Sequence, residues 1–139
     1  MEGKDFLELA KKLQNSEMEA DRRTSVSRAY YAIFNHIKSF FHNAHIKLPE
    51  AAQAHEKIYQ YLFNSGSEEA EDLAADLKNL RVKRNDADYE LISPKYNFDK
   101  HNCGLTCLQA IKFFEQFDGL NRRGTLVKGI WDYKRKTNN

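Results

Sequence analysis

Apolar residues recur along this chain at the three-and-four spacing of a buried helical stripe, and no segment shows the alternation of a half-buried strand. The longest stripe joins Val26, Tyr30, Ile33, Ile37, Phe40 and Ala44, widened by Phe34 and Phe41, and predicts a core helix over about 17–44. A shorter helix over about 4–15 precedes it, with Phe6, Leu9 and Leu13 on its apolar face. Lys47-Leu48-Pro49 ends the long helix, because proline removes a backbone donor and disfavours helical geometry in the residue before it. A third helix over about 50–64 follows, with Ala51, His55, Ile58 and Leu62 along its seam. Ser67 then offers its hydroxyl as a cap to the acidic opening of a fourth helix, which runs to Tyr89 or Glu90. Ser93-Pro94 marks a turn. Asn97 or Asp99 starts a fifth helix running to about 120, whose seam is Cys103, Cys107, Ala110, Phe114 and Phe117.

These elements with short connections define an all-α, up-and-down bundle of four to five helices. The predicted division is a bundle over 1–121 and a basic arm or short helix over 122–139, built around Leu126, Ile130 and Trp131. With 139 residues, 41% of them hydrophobic, the chain can bury one core. No stretch reaches the roughly 20 apolar residues of a membrane span, and the opening MEGKDFLELAKK lacks the apolar centre of a secretory signal, so a cytoplasmic protein without a membrane partner is expected. The only two cysteines, Cys103 and Cys107, lie one helical turn apart and read as buried thiols rather than a disulfide framework.

Charge changes the picture at the C-terminal end. From residue 120 onward six bases face one acid, whereas the first 119 residues hold 16 bases and 19 acids. A basic segment of this kind attracts phosphates by counterion release, and it is equally the composition of a solvated terminus.

One position breaks the pattern in a way that carries chemistry. The seam of the fourth helix reads Leu73, Leu77, Leu80, Arg84, Ala87 and Leu91, so an arginine stands where the core would take another leucine. A buried guanidinium cannot escape its desolvation cost by losing its proton, and must therefore find a partner or face a cleft. His55 interrupts the third seam, and Arg28 borders the stripe of the second helix beside Tyr30 and Tyr31. Together they predict a polar groove shared between helices, with Tyr31 on the face of Arg28 and Asn35 as a ring on which a base could stack. The competing account is an internal ion pair of Arg84 with Asp88 one turn later.

The segment Ser27-Arg28-Ala29-Tyr30-Tyr31-Ala32-Ile33-Phe34, followed by His55 and by Arg84-Asn85-Asp86-Ala87-Asp88-Tyr89, resembles the HEPN superfamily, in particular the branch with an SRAYYA-type helix and an R-x-x-A-D-Y helix end. The resemblance covers roughly 5–117. It implies a helical homodimer that acts on RNA or a nucleotide within a toxin–antitoxin or phage-defence unit, often beside a cognate nucleotidyltransferase. Many members are metal-independent ribonucleases whose motif is an arginine, a polar residue and, after four to six further positions, a histidine. Carried over, Arg84 is the motif arginine and Asn85 its polar neighbour, while Tyr89 and the two residues after it supply no imidazole. The catalytic set by resemblance is therefore Arg84, Asn85 and Tyr89, with Arg28, Tyr31, His55 and Asp88 as substrate-binding residues.

In RNA cleavage an arginine stabilises charge on the phosphate and a histidine takes the 2′-hydroxyl proton; a tyrosine with pKa ~10 is a poor base at neutral pH. Three possibilities stay open from sequence. His55, or one of His36, His42, His45 and His101, reaches the site; Tyr89 contacts a phosphate or base in a binding-only subunit; or its hydroxyl accepts a nucleotide from a partner enzyme. A plain dimerising adaptor is the remaining class. No metal or other cofactor is expected: His101, Cys103 and Cys107 fall short of a four-ligand zinc site, and the acids of 68–76 lack the alternating ligands and glycine of a calcium loop.

Overall fold

The computed structural model describes residues 1–50 and 52–137, so Ala51 of the predicted third seam lies outside the described residues. Six helices follow one another: α1 (Gly3–Leu13), α2 (Glu19–Asn43), α3 (Ala52–Phe63), α4 (Glu68–Tyr89), α5 (Lys100–Arg122) and α6 (Thr125–Thr137). No strand occurs among the described residues, and the architecture is an all-α bundle. The long α2 sits at its centre, with α1, α4 and α5 packed on it, α3 against α4, and α6 across the ends of α3 and α5.

Local chemistry explains the boundaries. The Ser67 hydroxyl accepts from the Ala70 amide at 3.3 Å and starts α4, and the Asp99 carboxylate accepts from the Asn102 amide at 2.8 Å and starts α5. At the end of α2 the chain turns through His45, whose φ is +59°. The His45 amide donates to the His42 carbonyl at 3.1 Å and the Ile46 amide to the Phe41 carbonyl at 2.9 Å, the paired bonds of a Schellman turn. Left-handed backbone costs an L residue about 1–2 kcal/mol, which glycine does not pay. His45→Gly is accordingly expected to raise stability by about 0.5–1 kcal/mol, read as a rise in the urea midpoint at constant slope.

The main core runs through the bundle, and a smaller cluster of Val26, Ala87, Phe98 and Cys103 lies beside it. Tyr30, Ile33, Ile37 and Phe41 of α2 meet Ile58, Tyr61 and Leu62 of α3, Leu73, Leu77 and Leu80 of α4, and Phe113, Phe117 and Leu120 of α5. Leu126 and Ile130 of α6 are buried in the same core, so the basic C-terminal segment is a docked helix over its described residues.

Two predicted seams differ from the observed ones. In α1 the buried residues are Gly3, Leu7 and Ala10, whereas Leu9 is 42% exposed. The cause is close approach: a Cβ on Gly3 would stand 2.5 Å from the Ala32 carbonyl oxygen, so Gly3, Leu7 and Ala10 face α2, while Phe6 and Leu13 are half-buried at the margin, Phe6 against the core, and Leu9 turns out. In α4 the seam stops at Ala87. Leu91 is 93% exposed because Tyr89 is the last helical residue and the chain leaves in extended backbone at Glu90.

Arg22 and Arg23 hold that exit in place. The Arg23 guanidinium donates to the carbonyls of Asp86 and Ala87 at 3.4 and 3.3 Å, to that of Leu91 at 3.0 Å, and to that of Glu90. The Arg22 Nε donates to the Phe98 carbonyl at 2.8 Å. Arg23 thus serves the carbonyls of Ala87, Glu90 and Leu91 at the end of α4 and adds a bond to that of Asp86, which also accepts from the Glu90 amide. It fixes where Asp88 and Tyr89 stand, while Arg22 ties down the far end of the connection.

Candidate functional site: an arginine and tyrosine cluster

The four residues Ser27, Arg28, Tyr30 and Tyr31 occupy one turn of α2 and meet Arg81, Arg84 and Asp88 on one face of α4, at the three-and-four spacing that aligns side chains along a helix. The Arg84 guanidinium carbon lies 5.4 Å from the Tyr30 ring centroid, 5.1 Å from that of Tyr31 and 6.0 Å from that of Tyr89. Arg28 approaches the Tyr31 ring to 5.1 Å and the Phe6 ring to 5.3 Å. Two guanidiniums therefore share the ring of Tyr31, an arrangement in which the π face offsets part of the desolvation cost of the cations.

The polar links run through one carboxylate. Arg28 Nη2 donates to the Ser27 hydroxyl at 3.3 Å, and that hydroxyl donates to Asp88 Oδ2 at 3.1 Å. Arg84 Nη1 stands 3.8 Å from the same oxygen, close enough for an ion pair and too far for a hydrogen bond. Arg28 and Arg81 form no ion pair among the described residues, and the buried Nε–H groups of Arg28, Arg81 and Arg84 have no hydrogen-bond partner. A buried donor without a partner costs about 1–3 kcal/mol, and more when charged. Arg84 and, through Ser27, Arg28 reach the one carboxylate of Asp88, while Arg81 acts on Tyr30 and His55 from the next turn of α4, so the cations outnumber the acid.

His55 enters from α3. Its ring stacks on Phe34 with centroids 4.0 Å apart and planes 9° from parallel, and its Nδ1 shares a hydrogen bond with the Tyr30 hydroxyl. Burial, then the charges of Arg81, Arg84 and Lys38, push the His55 pKa down to about 4. Burial also drives the Tyr30 phenol well above its ordinary value. At neutral pH both partners are uncharged, and the bond is a neutral one inside a cationic field.

The histidine gives a pH prediction. Its proton is taken up at about 4 in the folded chain and near 6.5 in the unfolded one, so acidification protonates the unfolded state first. The contribution of His55 to stability is full above pH 6.5, declines between 6.5 and 4, and is level below 4. Urea midpoints of wild type and His55→Gln, measured across that window, should converge as the pH falls; parallel curves would refute the assignment.

The structure brings Arg28, Tyr31, His55, Arg84 and Asp88 into this cluster, as the sequence pattern suggested, and adds Ser27, Tyr30 and Arg81. Arg81 gave a legible signal, since it stands three residues before Arg84 and so one turn away on the same face. Tyr30 gave none: as a stripe residue it reads as core, which it also is. Tyr89 lies at the rim and is 72% exposed, with its ring free to meet a ligand. Asn85 is half-buried, and its side chain makes no hydrogen bond among the described residues.

Two expectations need correction. Arg84 does not look into an open groove: it is only 5% exposed, covered by the tyrosine rings and Asp88. Nor is Tyr31 a free stacking surface, because two guanidiniums already engage it. The other histidines stay away. His36 Nε2 is bound to Asp118 at 2.7 Å and packs on Phe114 and Phe117, and His42 is about 21 Å along α2 from Arg28 at 1.5 Å per residue. His45 forms the turn after α2, and His101 sits exposed in the first turn of α5. Cys103 and Cys107 are buried free thiols, and burial raises the pKa of Cys107 to about 11, which leaves it protonated. Among the described residues no three His, Cys, Asp or Glu side chains cluster as metal ligands, and no helix is long and apolar enough to cross a membrane.

The cluster defines a class of site: a cationic, ring-lined face on a helical bundle, suited to a phosphate. Comparison with known proteins takes the identification no further, since no protein-family description, curated protein or solved structure matches the chain.

Proposed function

We propose that this chain is an HEPN-type RNA-binding subunit that grips phosphodiester groups at the arginine and tyrosine cluster and leaves the strand uncut. The observation that carries the reading is the charge imbalance: Arg28, Arg81 and Arg84 converge with buried unpaired donors on a face whose single ion-paired carboxylate is Asp88. The Nε–H groups themselves are sealed from solvent, so a phosphate meets the outer guanidinium nitrogens of the half-buried Arg28 and Arg81, which have no ion pair among the described residues, and its charge offsets the excess of cations. The half-buried Arg28 and Arg81 make direct contact. Arg84, lying beneath them, acts through its field and by holding Tyr31 and Asp88. Tyr89 at the rim offers a ring to a base.

The absence of cleavage follows from the same groups. A general base works best with a pKa near the operating pH, whereas His55 is held at about 4 and shares its Nδ1 with Tyr30. Tyr89 occupies the position where the resembling family carries its histidine. In this reading the domain serves a toxin–antitoxin or defence unit as a homodimer, with a nucleotidyltransferase as its cognate partner.

The test is a titration of labelled single-stranded RNA in the presence of chelator, repeated across salt concentrations. Binding without loss of full-length RNA is expected. Arg28→Ala and Arg81→Ala should each weaken it and lower the slope of log affinity against log salt by about 1. Cleavage by the wild type would replace the binding-only reading with the ribonuclease one, and failure to bind at low salt would remove both.

A further inference from the structure

We propose a second ligand site, separate from the arginine cluster: the cavity of about 330 Å³ between α2, α4, α5 and the 90–99 connection takes a nucleoside monophosphate. Its volume stands at the small end of the roughly 300–1,000 Å³ typical of small-molecule sites, enough for one nucleotide and not for a strand.

The floor is apolar and fixed. Val26 and Phe98 are buried there beside Cys103 and Ala87, and the ring of Phe98 is backed by the Arg23 guanidinium at 4.7 Å. Tyr96 lies next to it, with ring centroids 6.4 Å apart and planes inclined at 48°. The connection that carries both rings is anchored by Arg22 to the Phe98 carbonyl and by the Ser93 hydroxyl, which accepts from the Tyr96 amide at 3.0 Å. These rings offer a planar base an apolar wall already in place.

The polar groups are complementary to a base edge and an anion. Asn102 spends its amide N–H on the Asn97 carbonyl at 3.0 Å, which leaves its side-chain oxygen as an acceptor. Gln109 spends its side-chain oxygen on Lys83 Nζ at 3.1 Å, which leaves its amide N–H groups as donors. The two stand seven residues apart on one face of α5, about 10 Å along its axis, so Asn102 at one end of the cavity offers an acceptor to a base and Gln109, beside Lys83 at the other, offers donors to a phosphate or ribose. The charged lining residues are Lys83 and Lys95, with no acid among them. Lys83 is half-buried, makes no ion pair among the described residues, and is held below its ordinary pKa by desolvation. A phosphate supplies the missing counter-charge. Lys83 precedes Arg84 on α4 by one residue, a step of about 100° around the helix, so the two sites open on different sides of it.

The experiment is calorimetric titration of the full chain with AMP, GMP, CMP and UMP, with adenosine, guanosine, cytidine, uridine and inorganic phosphate as partial probes. At least one monophosphate should bind, with the matching nucleoside and phosphate alone each at least tenfold weaker. Lys83→Met and Gln109→Leu, checked for wild-type circular dichroism, should each weaken it at least tenfold, while Arg28→Ala and Arg81→Ala stay within twofold. Lys83→Arg, which keeps the charge, should retain most of the affinity. The site is refuted if none of the four monophosphates binds at millimolar concentration, if phosphate alone binds as well as the nucleotide, or if Arg81→Ala abolishes binding while Lys83→Met does not. Loss of RNA binding in the Arg28 and Arg81 variants bears on the first site alone, so the two proposals fail independently.

Discussion

Arg84→Met is expected to leave the bundle folded, with an unchanged or higher melting midpoint, while weakening RNA binding about tenfold, which corresponds to roughly 1.4 kcal/mol. The thermodynamic half of this result rests on what the arginine leaves behind. Removing one partner of a buried ion pair costs about 3–5 kcal/mol when the other charge is stranded without water. Asp88 is not stranded, since its side chain keeps 29% of its exposure and accepts from the Ser27 hydroxyl. Methionine fills a similar volume against Tyr30 and Tyr31, and it removes a cation whose Nε–H has no acceptor. A loss of several kcal/mol with RNA affinity intact in the folded fraction would reverse the assignment, making Arg84 an internal ion pair of a helical adaptor. Thermal unfolding and RNA titration on the same preparation distinguish the two.

The second large effect concerns α6. A Cβ on Gly129 would overlap the Ser65 carbonyl oxygen and stand 2.9 Å from its carbonyl carbon, and Ser65 is itself buried, with its hydroxyl donating to the Leu62 carbonyl at 2.9 Å. Because the obstacle is backbone fixed at the end of α3, a side chain there cannot be accommodated by a rotamer change. Gly129→Ala should therefore lift α6 from the bundle and expose Leu126 and Ile130, at a cost of about 2–4 kcal/mol by the usual value of burying such side chains. Hydrogen exchange is the direct readout: amides of α6 lose protection while those of α2 and α4 keep theirs relative to the new global stability. Unchanged protection in α6 would mean the helix can dock without that contact. RNA binding should persist, because no residue of the arginine cluster belongs to α6.

Much of this architecture was legible before any coordinates. The stripes of α2 and α5 alternate bulky apolar residues at three and four, and the caps Ser67 and Asp99 start α4 and α5 by local chemistry alone, whereas α2 ends at Asn43 in the turn through His45 and not at Pro49. Arg84 and His55 announced themselves because a polar residue within an apolar stripe must be compensated. What local pattern could not supply was the identity of the compensating groups. The face of α1 is rotated from the predicted one, with Phe6 still against the core and Leu9 outside it, since Gly3 and Ala10 carry too little bulk to register as a stripe, yet the smallness of Gly3 is what lets α1 approach α2. Leu91 fitted the period of α4 but lies past its end, where carbonyls find donors from Arg23 on another helix.

The sequence by itself determined the helical class, the extents of the long helices and the anomaly of a cation in a leucine position, because these depend on residues within a few turns of one another. Tertiary structure alone decided that Arg28, Arg81 and Arg84 meet around two tyrosines with one carboxylate among them, and that His55 is tied to Tyr30 and kept neutral. Such facts depend on distances between helices that are remote in sequence, and on the desolvation that packing imposes, neither of which any periodicity encodes.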